Sequence, residues 1–433
     1  MKFSWEVLLI KRVFHALGGP GDIIQAHDNW KHGKHDRTEV SITFTSQIED
    51  FCKDINAEAY FVSPHPRVET VRDGQFTFEH RPKPPRGGVR FHLTEIAYGV
   101  GLLATALRFG ADVALLDSGA THFFVMTLFR ICGIRVVPIL HNTLWPSGFP
   151  PTGLGKRLVM KLDTPFWKRV PLATIGVSPE CERQVDQLTK GHHPPIFQAR
   201  AQFVPEYFAQ IPPPPPHDQR PFQIMFIGRV NRIKGVFDIL EIARRIEESH
   251  AGLIRWEICG RGPHFDELKS CCQELGLEQT FQLRGWTSLE DLIGVYARCH
   301  ASIVPTRSDF SEGLAMTAAE AILAGRPLIT NPVVPALELL RPACVAARTN
   351  DVDSHHQAVL KLATDAELYA RLCRACPDLR VPFYDRRYGL AAALKRALAS
   401  DLPAAADQPD TSPVNRIPEA AVTNIAPGQS DHS

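Results

Sequence analysis

The chain alternates two kinds of local pattern, and it does so twice. AYFVS (59–63), VALLD (113–117), VVPILH (136–141) and ATIGVS (173–178) are short apolar runs bounded by Gly, Pro or polar residues, and VLLI (7–10) opens the series. Runs of this kind read as strands buried on both faces of a sheet. Between them SQIEDFCKDI (46–55), TEIAYGVGLLATALRF (94–109) and PECERQVDQL (179–188) carry helical spacing. Strand, helix and strand in succession are the pattern of a parallel sheet wrapped by helices, an α/β fold.

The alternation stops at IPPPPPHDQRP (211–221) and then restarts. FQIMFIGRV (222–230), IRWEICG (254–260), TFQLRGW (280–286), ASIVPT (301–306) and PLITN (327–331) read as strands, with helices near 236–249, 265–275, 289–299 and 314–324. Five consecutive prolines cannot donate backbone hydrogen bonds and favour an extended conformation, so a stiff spacer is expected. Residues 1–210 then form one Rossmann-like lobe, 211–221 a proline-rich linker and 222–400 a second Rossmann-like lobe. A length of 433 residues agrees, since it exceeds what one core usually serves. From 401 to 433 Pro, Ala, Asp and Ser replace paired apolar residues, and a disordered tail is expected.

Lys and Arg number 48 against 47 Asp and Glu, a net charge of +1, so nothing in the balance points to a nucleic-acid partner. Ten scattered cysteines, read as holding no CxxC pair and no Cys/His zinc spacing, suit reduced thiols of a cytosolic protein. VLLI is too short for a signal peptide or a span, and the longest apolar stretch, 96–116, is broken by Arg108 and Asp112. A soluble, cytoplasmic protein without a membrane span is expected, with peripheral attachment at the inner face of the membrane left open.

Three motifs carry chemistry. In FIGRVNRIKG (226–235) a strand ends, Gly228 turns the chain, and Arg229 and Lys234 stand at the carboxyl end of the sheet, where open α/β domains bind ligands. Two cations beside a helix start suit a diphosphate: Arg offers a fork of donors, Lys a mobile point charge, and free helix amides partial positive charge. The plainer alternative is a pair of solvated cations. In EICGRGP (257–263) Gly260 and Gly262 allow a tight turn, without the GxGxxG spacing of a nicotinamide site; an ordinary strand-to-helix turn also explains them.

FSEGLAMTAAEAILAGRP (310–327) sets two acids eight residues apart, Glu312 ahead of a helix and Glu320 inside it. Amides near Gly313, Leu314 and Ala315 would receive an anion, with small side chains keeping the approach open. Glu312 and Glu320 would then accept from hydroxyls on either side of that anion, and a polyol at each end of a diphosphate is a nucleotide sugar. The plainer reading has Glu312 favouring the helix dipole and Glu320 pairing with Arg326 or another cation. The apolar surroundings weigh against it, because a buried acid needs a partner.

In order, GRVNRIKG, CGRGP, LRGWTSLEDLIGVYARCHASIVPT, EGLAMTAAEAILAGRPLITN and VPALELL resemble the carboxyl-terminal lobe of GT-B glycosyltransferases of family 4, the retaining group with an E-x7-E motif. The resemblance covers 222–340 and implies a GT-B fold, two Rossmann-like βαβ domains facing a central cleft. It implies that Arg229 and Lys234 clamp the diphosphate, that Glu320 holds the ribose and that Glu312 faces the donor sugar. Gly313, Leu314 and Ala315 then border the donor, and the turn at Gly285 and Trp286 meets the base through its backbone. The chain departs from the pattern at Ala315, where many relatives carry glycine, and in the longer loop TRSDFSEG (306–313).

The first lobe is matched more loosely. VVPILHNTLWPSG resembles the family's strand ending in a histidine near the cleft, which sets His141 against the sugar or acceptor. GGPGD, with Gly18 and Gly19, resembles the glycine-rich acceptor-side loop. His27, His32 and His35 fit no common metal spacing, and no metal is expected there. GKRLVMKLDTPFWKRV (155–170) mixes five cations with Leu158, Leu162, Phe166 and Trp167. It reads as a solvated helix face, with contact to an anionic membrane as the alternative.

The reading is a retaining, hexosyltransferase-like enzyme that moves a sugar from a nucleotide-diphosphate donor to a hydroxyl of a sugar, polysaccharide or lipid-linked acceptor, in glycan, polysaccharide or glycolipid synthesis. The donor is its substrate, and no cofactor or metal is expected. Two other classes remain: a nucleotide-sugar epimerase of the same fold and a non-catalytic nucleotide-sugar-binding protein.

Overall fold

The computed structural model describes residues 10–34 and 39–399. The apolar runs line up as two sheets, one in each half of the chain. The first half holds β1 (Arg12–Ala16), β2 (Ser41–Ile42), β3 (Glu58–Ser63), β4 (Glu69–Asp73), β5 (Phe76–His80), β6 (Val113–Asp117), β7 (Arg135–Leu140), β8 (Thr174–Gly176), β9 (Ile196–Gln198) and β10 (Gln202–Phe203). Eight of these strands form a sheet in the order β4-β5-β3-β1-β6-β7-β8-β9, parallel except where β4 runs antiparallel to β5. The remaining two, β2 and β10, make a separate antiparallel pair.

The second half holds β11 (Phe222–Ile227), β12 (Ile254–Cys259), β13 (Phe281–Gly285), β14 (Ala301–Val304), β15 (Leu328–Thr330) and β16 (Cys344–Ala346). They form a parallel sheet in the order β13-β12-β11-β14-β15-β16. Counted from its own first strand, this is the doubly wound order 3-2-1-4-5-6, and β5-β3-β1-β6-β7-β8 repeats it in the first lobe. The winding reverses between β1 and β6 in one lobe and between β11 and β14 in the other. Each reversal opens a crevice at the carboxyl ends of the strands, and these crevices position the site.

Helices cover the sheets by amphipathic burial. In Val236–Ser249 the side chains of Val236, Ile239, Leu240, Ala243 and Ile246 recur every three to four residues and are buried against β11 and β12. The helix Phe44–Asp54 starts two residues before the expected one because Thr43 caps it, its hydroxyl accepting from the Ser46 amide at 3.1 Å.

Three expectations need correction, and a fourth, the strand VLLI, lies outside the described residues except for Ile10. The first strand among the described residues is RVFHA. Its Arg12 sits at the sheet rim and its His15 is buried, so two polar residues hide a strand from a count of apolar ones. The proline stretch is no free spacer: buried Arg326 donates to Pro212 O at 2.8 Å, and the Tyr369 hydroxyl donates to Pro215 O at 2.8 Å. The second lobe does not run to 400, because the helix Leu390–Ala399 crosses back and buries Leu390, Ala393 and Leu394 in the first lobe beside Val13 and Ile48. Its first amide donates to Gln47 Oε1 at 2.8 Å. Cys373 and Cys376 do make a CxxC spacing, but both thiols are free within the helix Ala366–Leu379, and burial pushes them up to about 11 and about 12. The tail 401–433 lies outside the described residues.

Candidate active site

A cleft of about 730 Å³ opens between the lobes where the two crevices face each other. Its second-lobe wall is built from strand ends. Arg229 follows β11 after one residue, Gly228; its side chain is exposed and makes no hydrogen bond or ion pair among the described residues. Lys234 lies five residues further on in a short 3-10 turn that Asn231 caps. Thr306 and Glu312 come from the loop after β14.

Lys234 and Glu312 are partners. The Lys234 ammonium is in ion-pair contact with Glu312 Oε1, and the Thr306 hydroxyl donates to the same oxygen at 2.9 Å. Glu312 is 5% exposed, so its charge is held in a nearly dry setting by one cation and one hydroxyl. The sequence places both residues in the site but not in contact.

The helix after this loop runs Met316–Leu323 and begins two residues later than expected. Ala315 is the cause: it takes a left-handed φ of 69° and stands outside the helix as its cap residue. The amides free at the helix start therefore belong to Met316 and Thr317 rather than to Gly313 and Leu314. Glu320 sits one turn further in. It does not pair with Arg326, whose guanidinium donates to backbone carbonyls including Cys299 O. Its partner is the Tyr296 hydroxyl, which donates at 3.3 Å. Burial raises the Glu320 carboxyl, the Tyr296 hydrogen bond offsets part of that, and the charge of Glu39 adds to it, leaving the pKa at about 7.

The first-lobe wall carries a feature that sequence reasoning missed. Asp117, at the end of β6, is buried between two histidines: His15 Nε2 at 3.1 Å and His141 Nε2 at 3.0 Å, both on Oδ1. Burial by itself would raise Asp117, but the two imidazoles hold it well below the usual carboxylate range. Burial would lower His141, and the Asp117 charge outweighs it, so the His141 pKa is raised. The only sign in the sequence was an acid closing an otherwise apolar strand, VALLD.

Some expected residues stand apart from the cleft. Gly285, with φ 71°, turns the chain and accepts from the Gly260 amide at 2.7 Å, and Trp286 beside it is 65% exposed; neither lines the cleft. Gly260 and Gly262 let the GRGP turn lie against the backbone of Gly228 and Val230, so close packing accounts for them. Gly18 is likewise a packing glycine, with no room for a methyl beside Ser118 O, while Gly19 is open; Leu17, Gly21 and Asp22 line the cleft in their place. His27 is held by Glu49 and Asp73 in the first lobe, His32 accepts or donates locally at Asp28, and His35 lies outside the described residues. Among the described residues, no cluster of His, Cys, Asp or Glu is arranged to hold a metal ion, and no helix is long and apolar enough to cross a membrane.

Residues 208–376 match the family model described as glycosyl transferases group 1. The chain is similar in structure to sucrose-phosphate synthase from Thermosynechococcus elongatus, at 12% identity and a TM-score of 0.66, covering 90% of this chain and 98% of that one. It is similar to HepE of Anabaena, solved with UDP, at 14% identity and a TM-score of 0.61, covering 90% and 99%. The lipopolysaccharide outer core galactosyltransferase WaaB gives 17% identity and a TM-score of 0.60, covering 90% and 100%. No curated protein sequence matches the chain. The class that fold and cleft define is GT-B, two Rossmann-like domains across a cleft. Its second lobe carries the glycosyl transferases group 1 match.

Proposed function

We propose that the protein is a retaining glycosyltransferase of the E-x7-E type, moving a sugar from a nucleotide-diphosphate donor to an acceptor hydroxyl. One observation carries this reading: a single cleft sets Arg229, Lys234 and Glu312 of the second lobe opposite the His141–Asp117 pair of the first. The donor diphosphate lies against Arg229, Lys234 and the amides of Met316 and Thr317, which neutralise the charge that grows as it leaves, without a metal.

Lys234 is shared between Glu312 and the diphosphate, and Glu312 accepts from hydroxyls of the donor sugar. Glu320 accepts from the ribose. His141, whose pKa the neighbouring Asp117 raises, faces the sugar or acceptor. The bond from the anomeric carbon to the diphosphate oxygen breaks as the bond to the acceptor oxygen forms, and the acceptor proton passes to the departing diphosphate. No protein nucleophile is needed for retention by this route.

The acceptor is a sugar, polysaccharide or lipid-linked hydroxyl, entering from the first lobe past Leu17 and Asp22. Thermal-shift measurement against a panel of nucleotide sugars, beginning with UDP-sugars because the HepE relative was solved with UDP, tests the donor. Stabilisation that Arg229→Ala removes supports the reading, and no stabilisation by any nucleotide sugar overturns it. Release of nucleoside diphosphate that depends on added acceptor separates transfer from epimerisation or from binding alone.

A further inference from the structure

Three helices cover one face of the first-lobe sheet: Val89–Phe109, Phe123–Ile131 and Leu154–Arg169. They lie side by side, His92 stacking on His122 at 5.0 Å and Phe123 meeting Trp167 at 4.5 Å. Their inner sides are ordinary core, with Leu102, Met126, Phe129 and Phe166 buried together. Their outer sides are not ordinary. In the first helix Leu93, Val100 and Leu107 are 61%, 45% and 46% exposed, and with Ala97 and Ala104 between them they form a stripe at helical spacing. In the third, Leu154, Leu158 and Leu162 on successive turns are 83%, 59% and 49% exposed. Ile131, ending the middle helix, is 73% exposed. Single exposed apolar residues need no explanation, but aligned stripes on adjacent helices do.

The charge on this face has one sign. The three helices contain two acids, Glu95 and Asp163, and both are buried. Lys83 pairs with Glu95, and Asp163 accepts from the Phe124 amide at 2.9 Å. Exposed beside the leucines of the third helix are Lys156, Arg157, Lys161, Lys168 and Arg169, none of them in an ion pair among the described residues. Arg90 and Arg130 add to them from the other two helices. In a chain whose net charge is +1, this is segregation rather than excess. The sequence showed only the third helix as basic; the fold brings the other two stripes alongside it.

We propose that this face docks on an anionic lipid bilayer. Leucines on successive turns enter the acyl boundary while lysine and arginine stems reach the phosphates above it. A second copy of the chain would oppose like charges across the same face, so charge complementarity selects the lipid. The helices start at the carboxyl ends of the strands, the edge where Asp117 and His141 stand. Docking through Val89–Leu93 and Leu154–Leu162 therefore turns the mouth of the cleft toward the bilayer. The proposal stands apart from the assignment of glycosyl transfer, because vesicle binding and nucleotide-sugar binding are read separately.

Co-sedimentation of the full chain with phosphatidylcholine vesicles, and with vesicles also containing phosphatidylglycerol, tests it. The partition coefficient should rise about tenfold or more with the anionic lipid and fall again as salt is raised. Leu158→Glu with Leu162→Glu, and separately Lys156→Ser, Arg157→Ser and Lys161→Ser, should each return binding to the neutral-vesicle level. All five residues are exposed, and unchanged thermal melts would show that the variants fold. Binding that ignores lipid charge, no binding at all, or variants that bind as the parent does would overturn the proposal. So would a dimer in sedimentation velocity that the leucine variants dissociate.

Discussion

A methyl group built on Gly313 overlaps the carbonyl oxygen of His141, so two residues from different lobes meet with no room for a side chain between them. The Thr143 amide donates to Glu312 O at 3.4 Å beside this point. The obstruction is backbone, which cannot swing aside as a long side chain would. Gly313→Ala should push the lobes apart and lower kcat about 100-fold, the usual result of displacing reacting groups by about 1 Å. On the proposed function the nucleoside diphosphate is held by second-lobe groups that stay in place, so its affinity should change little. Steady-state kinetics with calorimetric UDP titration check this; an unchanged kcat would show that the contact has no part in turnover.

Glu312 and Lys234 form an ion pair in the cleft, and the two should separate in their effects. Lys234→Met removes a diphosphate contact and strands a nearly buried carboxylate, so UDP binding should weaken by about 10- to 100-fold. Glu312→Ala frees the ammonium for the diphosphate, so UDP should bind at least as tightly as to the parent while kcat with the full donor falls by about 100-fold or more. Calorimetry with UDP and single-turnover kinetics with the donor distinguish the two. A Glu312→Ala protein that loses UDP binding would show that the acid organises the phosphate site instead of the sugar site.

The second lobe was legible because its pattern is local. Strands such as FQIMFI, and the helix Val236–Ser249, announce themselves within a few residues, and Arg229, Lys234 and Glu312 do line one cleft. What was illegible depends on distance or on backbone sign. Asp117 and His15 are 102 residues apart, and nothing in RVFHA says that its histidine will find a carboxylate five strands later in the sequence. Arg326 is three residues beyond the helix of Glu320, near enough in sequence to suggest a pair, yet it turns to the carbonyls of the proline run, which has no amides of its own to satisfy them. Gly18, Gly260 and Gly262 look like ligand-loop glycines and are spent on backbone contacts that only the folded chain reveals.

Ala315 adopts φ 69° and ψ 89°, a conformation that glycine enters freely and alanine does not. Ala315→Gly should relieve about 1 kcal/mol or more of strain, partly offset by the greater freedom of glycine in the unfolded chain. The thermal midpoint should rise by about 1–3 °C. Ala315→Val, with a branched side chain in the same backbone state, should lower it. Calorimetry on both variants checks the sign, and a fall with glycine would show that the conformation carries no strain.

Glu320 offers a pH test in which stability and binding move in opposite directions. Burial raises its carboxyl to about 7 in the folded protein. The folded chain therefore holds a proton that the unfolded chain has already released, and stability falls as pH rises from the ordinary carboxyl range to about 7. Glu320→Gln, which cannot ionise, should raise the thermal midpoint at about pH 8 and change it little at about pH 5. Ribose hydroxyls donate best to the ionised form, so parent affinity for a nucleotide sugar should climb toward about pH 7, by at most tenfold per unit, and level off above it. The diphosphate of a nucleotide sugar stays fully ionised over that range, so the slope belongs to the protein. Calorimetric titrations across the range should show that slope in the parent and none in Glu320→Gln; a flat parent profile would mean that Glu320 does not meet the donor.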